Sequence, residues 1–158
     1  MKSRVSYSLY ATLITSIVFV LLLVGCIVTV HEKVAFFMLL AVLLIFVVSA
    51  LYYGAFYIKA DTTSIIMGSA LRRKRIPMRD VVSVESFQPT MGAKRIFASG
   101  GFMGYWGIFS EGDIGRYYAF YGKASDCFLV RMKNGDKYVL GCDNPDKMVD
   151  YINLHIAK

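Results

Sequence analysis

Hydrophobic and polar positions follow two different patterns along this chain. From Val5 to Val30 and again from Val34 to Ile58 there is no charged residue, and only His31, Glu32 and Lys33 separate the two runs. A spanning helix takes about 20 apolar residues. The pattern therefore predicts a transmembrane helical hairpin over 1–58, with helices at about 6–30 and 34–57. A turn this short returns the chain to the side it came from.

After Lys59 the long runs give way to short alternating ones, the mark of strands with one buried face. Strands are predicted at Ser64–Gly68, Leu71–Ile76 and Asp80–Phe87. Pro77 ends or edges the second of these. Residues 88–126 are broken by many glycines and are rich in aromatics. Two or three strands are read there, near 94–98, 105–109 and 116–121. Cys127–Lys133 alternates cleanly, Asn134-Gly135 reads as a type I′ turn, and Asp136–Cys142 returns as its partner. Asp143-Asn144-Pro145 is helix-start chemistry, and Val149, Ile152 and Ile156 follow at helical spacing. Residues 59–158 thus read as a mainly-β, α+β domain of about six or seven antiparallel strands with one C-terminal capping helix.

Charge adds a side to this picture. The 158 residues are 56% hydrophobic and carry a net charge of +7. Lys2 and Arg4 precede the first run, while Lys59 and the cluster Arg72-Arg73-Lys74-Arg75 follow the second. The positive-inside rule places both termini in the cytoplasm. Tyr7 and Tyr10 at one end, and Tyr52, Tyr53, Phe56 and Tyr57 at the other, fall at one leaflet like an interfacial belt. A basic domain held beside a membrane points to anionic headgroups before nucleic acid. The three cysteines are far apart in sequence and lack metal spacing.

Two features of the first run carry alternatives. Leu23-Val24-Gly25-Cys26 resembles a lipoprotein cleavage box, which would lipidate Cys26; no polar tether follows, so an ordinary Gly-Cys pair near a helix end is preferred. Ser8, Thr12, Thr15 and Ser16 share a helical face, and Ala50 and Gly54 are four apart. Small residues of this kind allow close helix contact, within the hairpin or between copies of the chain.

Three segments together carry a family resemblance: Arg75-Ile76-Pro77-Met78-Arg79-Asp80-Val81-Val82-Ser83-Val84-Glu85, then Ser99-Gly100-Gly101-Phe102-Met103-Gly104-Tyr105-Trp106-Gly107, then Asp143-Asn144-Pro145-Asp146. With the element order, they make residues 59–158 similar to the pleckstrin-homology-like barrel. The whole chain resembles bacterial PH-domain membrane proteins with an N-terminal transmembrane hairpin. The resemblance implies a barrel plugged by the C-terminal helix and attachment to the cell inner membrane. It implies no particular ligand. In eukaryotic PH domains a lysine and an arginine pair across the first hairpin grip phosphoinositides, and Lys59, Arg73 and Arg75 match that arrangement loosely.

Candidate functional residues fall in two groups. Lys59, Arg72, Arg73, Lys74, Arg75 and Arg79 are candidates for lipid-headgroup binding, weighed against a purely topogenic role. Phe102, Tyr105 and Trp106 are candidates for an interface or a partner, weighed against aromatic core. No catalytic constellation is visible. His31 and His155 stand apart from any nucleophile motif, Cys127 and Cys142 read as packed thiols, and Glu111 and Asp113 as a solvated turn. Asp143-Asn144-Pro145-Asp146 reads as capping rather than a calcium loop. No metal, cofactor or nucleic-acid partner is expected. The leading functional reading is a membrane-anchored binding or scaffold module of the cytoplasmic membrane, not an enzyme, meeting membrane lipids and a protein partner. A homo-oligomeric membrane assembly, with the domain as inter-subunit connector, is the alternative. An enzyme with an unrecognised site is a third.

Overall fold

The computed structural model describes residues 1–90 and 92–156. Helices α1 (Leu9–Val28) and α2 (Lys33–Tyr53) form an antiparallel pair. Both are long and apolar enough to cross a membrane. Ser8 caps α1, its hydroxyl accepting the Ala11 N–H at 3.2 Å. The Gly54 N–H closes α2 on the Ala50 carbonyl at 3.0 Å. Most of their apolar side chains cover nothing else in the chain: Leu9 is 76% exposed and Val34 77%. Gly25 lets the helices approach closely, since a Cβ there would stand 3.3 Å from Leu39 Cδ1. Cys26, next to it, is buried.

The remaining residues form two sheets and a helix. Strands β1 (Lys2–Arg4), β2 (Tyr57–Ala60), β3 (Ser64–Gly68) and β4 (Arg73–Pro77) make a four-stranded antiparallel sheet in chain order. Strands β5 (Val81–Ser86), β6 (Lys94–Gly101), β7 (Gly104–Glu111), β8 (Gly115–Tyr121), β9 (Cys127–Met132) and β10 (Lys137–Gly141) make a six-stranded sheet in the order β5-β9-β10-β8-β7-β6. Helix α3 (Pro145–Ile156) follows.

Several sequence expectations are met and some are corrected. The mainly-β domain with a C-terminal helix is present. Its sheet is not closed into a barrel, and the described part of 59–158 holds eight complete strands, β3 to β10, rather than six or seven. The break falls after β4: Pro77 has no N–H to donate, and a 3-10 turn at Met78–Asp80 swings the chain into the second sheet. One pairing is parallel rather than antiparallel, with Tyr138 opposite Tyr118. The extra strands at the small sheet are β1 and β2, which flank the helices. The turn at Asn134-Gly135 is not type I′. The Gly135 N–H returns to the Met132 carbonyl at 3.0 Å and the Met132 N–H to the Asp136 carbonyl at 2.9 Å. This is a three-residue loop with Gly135 alone at positive φ, +86°. The Asn134 carboxamide accepts the Asp136 N–H at 3.0 Å, which favours this loop.

The main core lies between the sheets and under α3. Ile58, Ile65 and Ile76 from the small sheet meet Phe128, Val130 and Leu140 from the large one, with Met148 and Ile152 from α3. Ala55 and Ile58, part of the second apolar run, are fully buried here. A second cluster, built on Phe109, Tyr117, Leu129 and Val139, includes the rings that line the 87–93 side of the large sheet.

Candidate lipid-facing site

The helices and the domain are joined without a linker. The turn after β3 sits on the end of α2, with the Leu71 N–H donating to the Leu51 carbonyl at 3.1 Å. Tyr7 donates its hydroxyl to the Ala55 carbonyl at 2.7 Å. The Ser8 N–H bonds the Gly122 carbonyl, just past the end of β8, at 2.9 Å. At Gly122 a Cβ would lie 2.3 Å from the Ser6 carbonyl oxygen, so only glycine admits this crossing.

Register divides the predicted basic cluster. Residues directly opposite in an antiparallel sheet share a face. Lys2, Lys59, Ile66 and Arg75 form one such row, and Arg4, Tyr57, Gly68 and Arg73 another. Both rows face outward, away from the core row Ser3, Ile58, Met67 and Lys74. The outer face of the small sheet therefore gathers Lys2, Arg4, Lys59, Arg73 and Arg75. Among the described residues one ion pair touches this set, Lys59 with Asp61 at 3.3 Å. That pairing holds the Asp61 carboxyl below its ordinary value through the hydrogen bond and charge of Lys59. The Tyr57 ring lies across Gly68, where a Cβ would collide with it, and Lys2 Nζ stands 4.5 Å from the ring centre.

Arg72 and Lys74 go elsewhere. Lys74 Nζ lies between two rings, 4.5 Å from Tyr118 and 4.7 Å from Tyr138, and Arg72 stands 5.4 Å from Tyr52. Burial lowers the Lys74 pKa, as does the neighbouring Arg72 charge. These two cations brace the sheets and the end of α2 rather than extend the outer face. Arg79 is further away still. It sits on the 3-10 turn at the opposite end of the small sheet, beside Asp80 at 3.9 Å. There it lines an open groove of about 880 Å³ with Thr62, Thr63, Lys133 and His155. Of the six predicted lipid-binding residues, Lys59, Arg73 and Arg75 are brought together. Lys2 and Arg4, read from sequence only as topogenic charges, join them.

The aromatic group has its own place. The β6–β7 hairpin reaches up beside the helices. Trp106 stacks on Tyr53 with ring centres 4.3 Å apart and planes 10° apart, and Phe102 packs on Phe46 at 4.5 Å. Tyr105 stacks on Tyr121 at 5.0 Å within the large sheet. Each of the three rings is partly buried and has an aromatic partner within the chain.

Other singled-out residues are structural. Glu111 is buried, not solvated, and accepts from the Thr90 N–H at 3.0 Å, the Thr90 hydroxyl and the Tyr117 hydroxyl. Its neighbourhood and burial push the Tyr117 pKa up, burial first. Cys127 is buried with its thiol on the Lys123 carbonyl at 3.2 Å, and burial raises its pKa strongly. His155 Nδ1 meets the Tyr151 carbonyl at 2.7 Å at the end of α3.

Compared with known proteins, residues 56–156 match the family model described as Bacterial PH domain. No curated protein and no solved structure matches the chain.

Proposed function

This chain belongs to the bacterial PH-domain family, and we propose that it is a membrane-anchored binding module whose small sheet meets anionic lipid headgroups. On this reading α1 and α2 cross the cytoplasmic membrane as a hairpin, both termini are cytoplasmic, and the domain performs no catalysis. The observation that carries the lipid part is the five-cation outer face: Lys2, Arg4, Lys59, Arg73 and Arg75 on one side of one sheet. Two of the three strands that bear it, β1 and β2, adjoin the ends of α1 and α2 in the chain, so the face stands beside the leaflet. Cations there are worth about 1 kcal/mol each against an anionic surface, less with salt. The bare apolar flanks of both helices favour lipid over a protein core as their solvent. The exposed groove beside Arg79, at the far end of the domain, is the surface left for a protein partner.

Lysine labelling in nanodiscs tests the lipid contact on the full chain. In phosphatidylglycerol discs Lys2 and Lys59 are expected to react more slowly than in phosphatidylcholine discs, while Lys133 reacts equally in both. Equal rates for Lys2 and Lys59 in the two lipids would sink the headgroup reading. The homo-oligomer alternative loses two of its seam residues to contacts within the chain. Thr15 is bonded to the β6–β7 hairpin, and Gly54 makes room for Met103, whose Cε would stand 3.2 Å from a Cβ there.

A further inference from the structure

We infer that the β6–β7 hairpin is a membrane wedge: its tip, Phe102-Met103, enters the acyl region of the same leaflet, seated against α1 and α2. The inference rests on the anchor reading above and concerns a different surface and a different part of the lipid.

Depth is the first argument. The Met103 N–H donates to Thr15 Oγ1 at 3.1 Å, and Phe102 packs on Phe46. Thr15 lies six positions inside α1 and Phe46 seven positions before the end of α2. At 1.5 Å per residue these contacts stand about 9–11 Å inside the helix ends. If the helices span, that level is hydrocarbon, not water. Trp106 lies shallower, stacked on Tyr53 at the last residue of α2, the level where tryptophan and tyrosine gather in membrane proteins.

Turn chemistry is the second. Phe102 and Met103 are the two residues between paired Gly101 and Gly104. Met103 holds φ at +48°, the only non-glycine among the described residues at positive φ. That conformation is unfavourable for an ordinary side chain, and a turn in water would use glycine or asparagine there. The same chain does so elsewhere, with Gly135 (φ +86°) between β9 and β10 and Gly115 (φ +71°) closing the turn between β7 and β8. The tip that reaches deepest along the helices is the one built from Phe and Met.

Backbone accounting is the third. Non-helical backbone survives at membrane depth only where its polar groups are satisfied by protein. The Met103 N–H is taken by Thr15, whose own hydroxyl donates to the Ala11 carbonyl at 2.8 Å. The Phe102 carbonyl accepts the Trp106 indole N–H at 3.0 Å. Gly101 leaves room for Tyr10, where a Cβ would come to 3.3 Å of the ring. Leu71 marks a second, shallower contact: it is 61% exposed while its N–H is bonded to Leu51.

Trp106 is the chain's single tryptophan, which makes quenching in proteoliposomes decisive. Three full-length proteins are used: the unmodified chain, Trp106→Phe with Phe102→Trp, and Trp106→Phe with Phe19→Trp. Position 19 lies ten residues into α1, about 15 Å along its axis, and reports the anchor itself. The tryptophan at 102 is expected to lose most of its emission to lipids brominated on the upper acyl chain and little to aqueous iodide. The one at 19 should respond to deeper bromines. Trp106 in the unmodified chain, which needs no substitution, should be quenched by the shallowest bromines. Iodide quenching at 102 or 106, with 19 still quenched by bromolipid, overturns the wedge and leaves the anchor standing. Iodide quenching at all three positions overturns both.

Discussion

The two sheets meet the helices by different chemistry. The small sheet is their covalent continuation: β1 leads into α1, β2 follows α2, and its outer face is cationic. The large sheet has no short connection to either helix and reaches them mainly through rings, Trp106 on Tyr53 and Phe102 on Phe46, with hydrogen bonds at Met103–Thr15 and Ser8–Gly122 beside them. Charge attracts over a distance and is screened by salt, whereas ring contacts act only when the surfaces touch. The domain is thus held at two points of unlike character. Between them lie the core shared by both sheets and the Lys74 side chain, which stands between Tyr118 and Tyr138.

The contrast can be broken most severely at that shared core. Phe128 is fully buried where the sheets face each other. Phe128→Ala should cost about 3–5 kcal/mol, read as the denaturant midpoint of the detergent-solubilised protein. A loss under 1 kcal/mol would mean the sheets do not depend on a common core. Next comes the crossing at Gly122. Gly122→Val forces the Ser6 carbonyl away and should cost about 1–3 kcal/mol. Hydrogen exchange should then quicken in β1 and at Ser8, while β9 and β10 keep their protection.

Removing the stack separates the two attachments. Tyr53→Ala should cost about 0.5–1.5 kcal/mol beyond lost area and accelerate exchange across Gly101–Gly107. Exchange in β2 and β3 should not change, and a uniform rise would show one attachment instead of two. The surface pair of Glu85 with Arg131, at 2.8 Å, lies on the large sheet away from both contacts. Glu85→Ala should cost no more than about 1 kcal/mol, with neither attachment moved.

Alkaline pH should loosen the large sheet first. Burial raises the Tyr117, Tyr121 and Cys127 pKa values above their ordinary ranges. Groups raised on folding contribute stability that is whole below their unfolded values and lost as pH climbs toward the folded ones. The decline should therefore begin near about pH 8.5 for the thiol and pH 10 for the phenols. Lys74 acts in the opposite sense, because its folded value is lowered and stability returns as pH approaches its unfolded value. Denaturation midpoints measured between neutral pH and the tyrosine range, with Cys127→Ser as a comparison, would check the sign and the onset.

Much of the architecture follows from local pattern. The two apolar runs, the β3 strand and the C-terminal helix are visible as periodicity alone, and the family match agrees with the quoted segments. What escaped is non-local. Lys2–Arg4 is three residues long and pairs with Tyr57–Ala60, more than fifty positions away. Nothing in its own composition marks it as a strand. Ala55 and Ile58 look like the tail of a membrane helix because an apolar residue reads the same in lipid and in a core. The division of the basic run was within reach: β4 has a period of two, so Arg73 and Arg75 had to part from Lys74. The ring contacts of Phe102 and Trp106 were not, since their partners lie on another element.

The pairing of β1 with β2 also sets an order of events. β1 leaves the ribosome first, and its partner emerges only after both helices have been made. For that interval the edge of the small sheet does not exist. On the proposed reading, in which α1 and α2 span a bilayer, the N-terminal residues must stay on the side where Tyr57 will arrive, because a strand carried across could not return to its place. On that reading, assembly of the charged face is a record that the hairpin was inserted correctly.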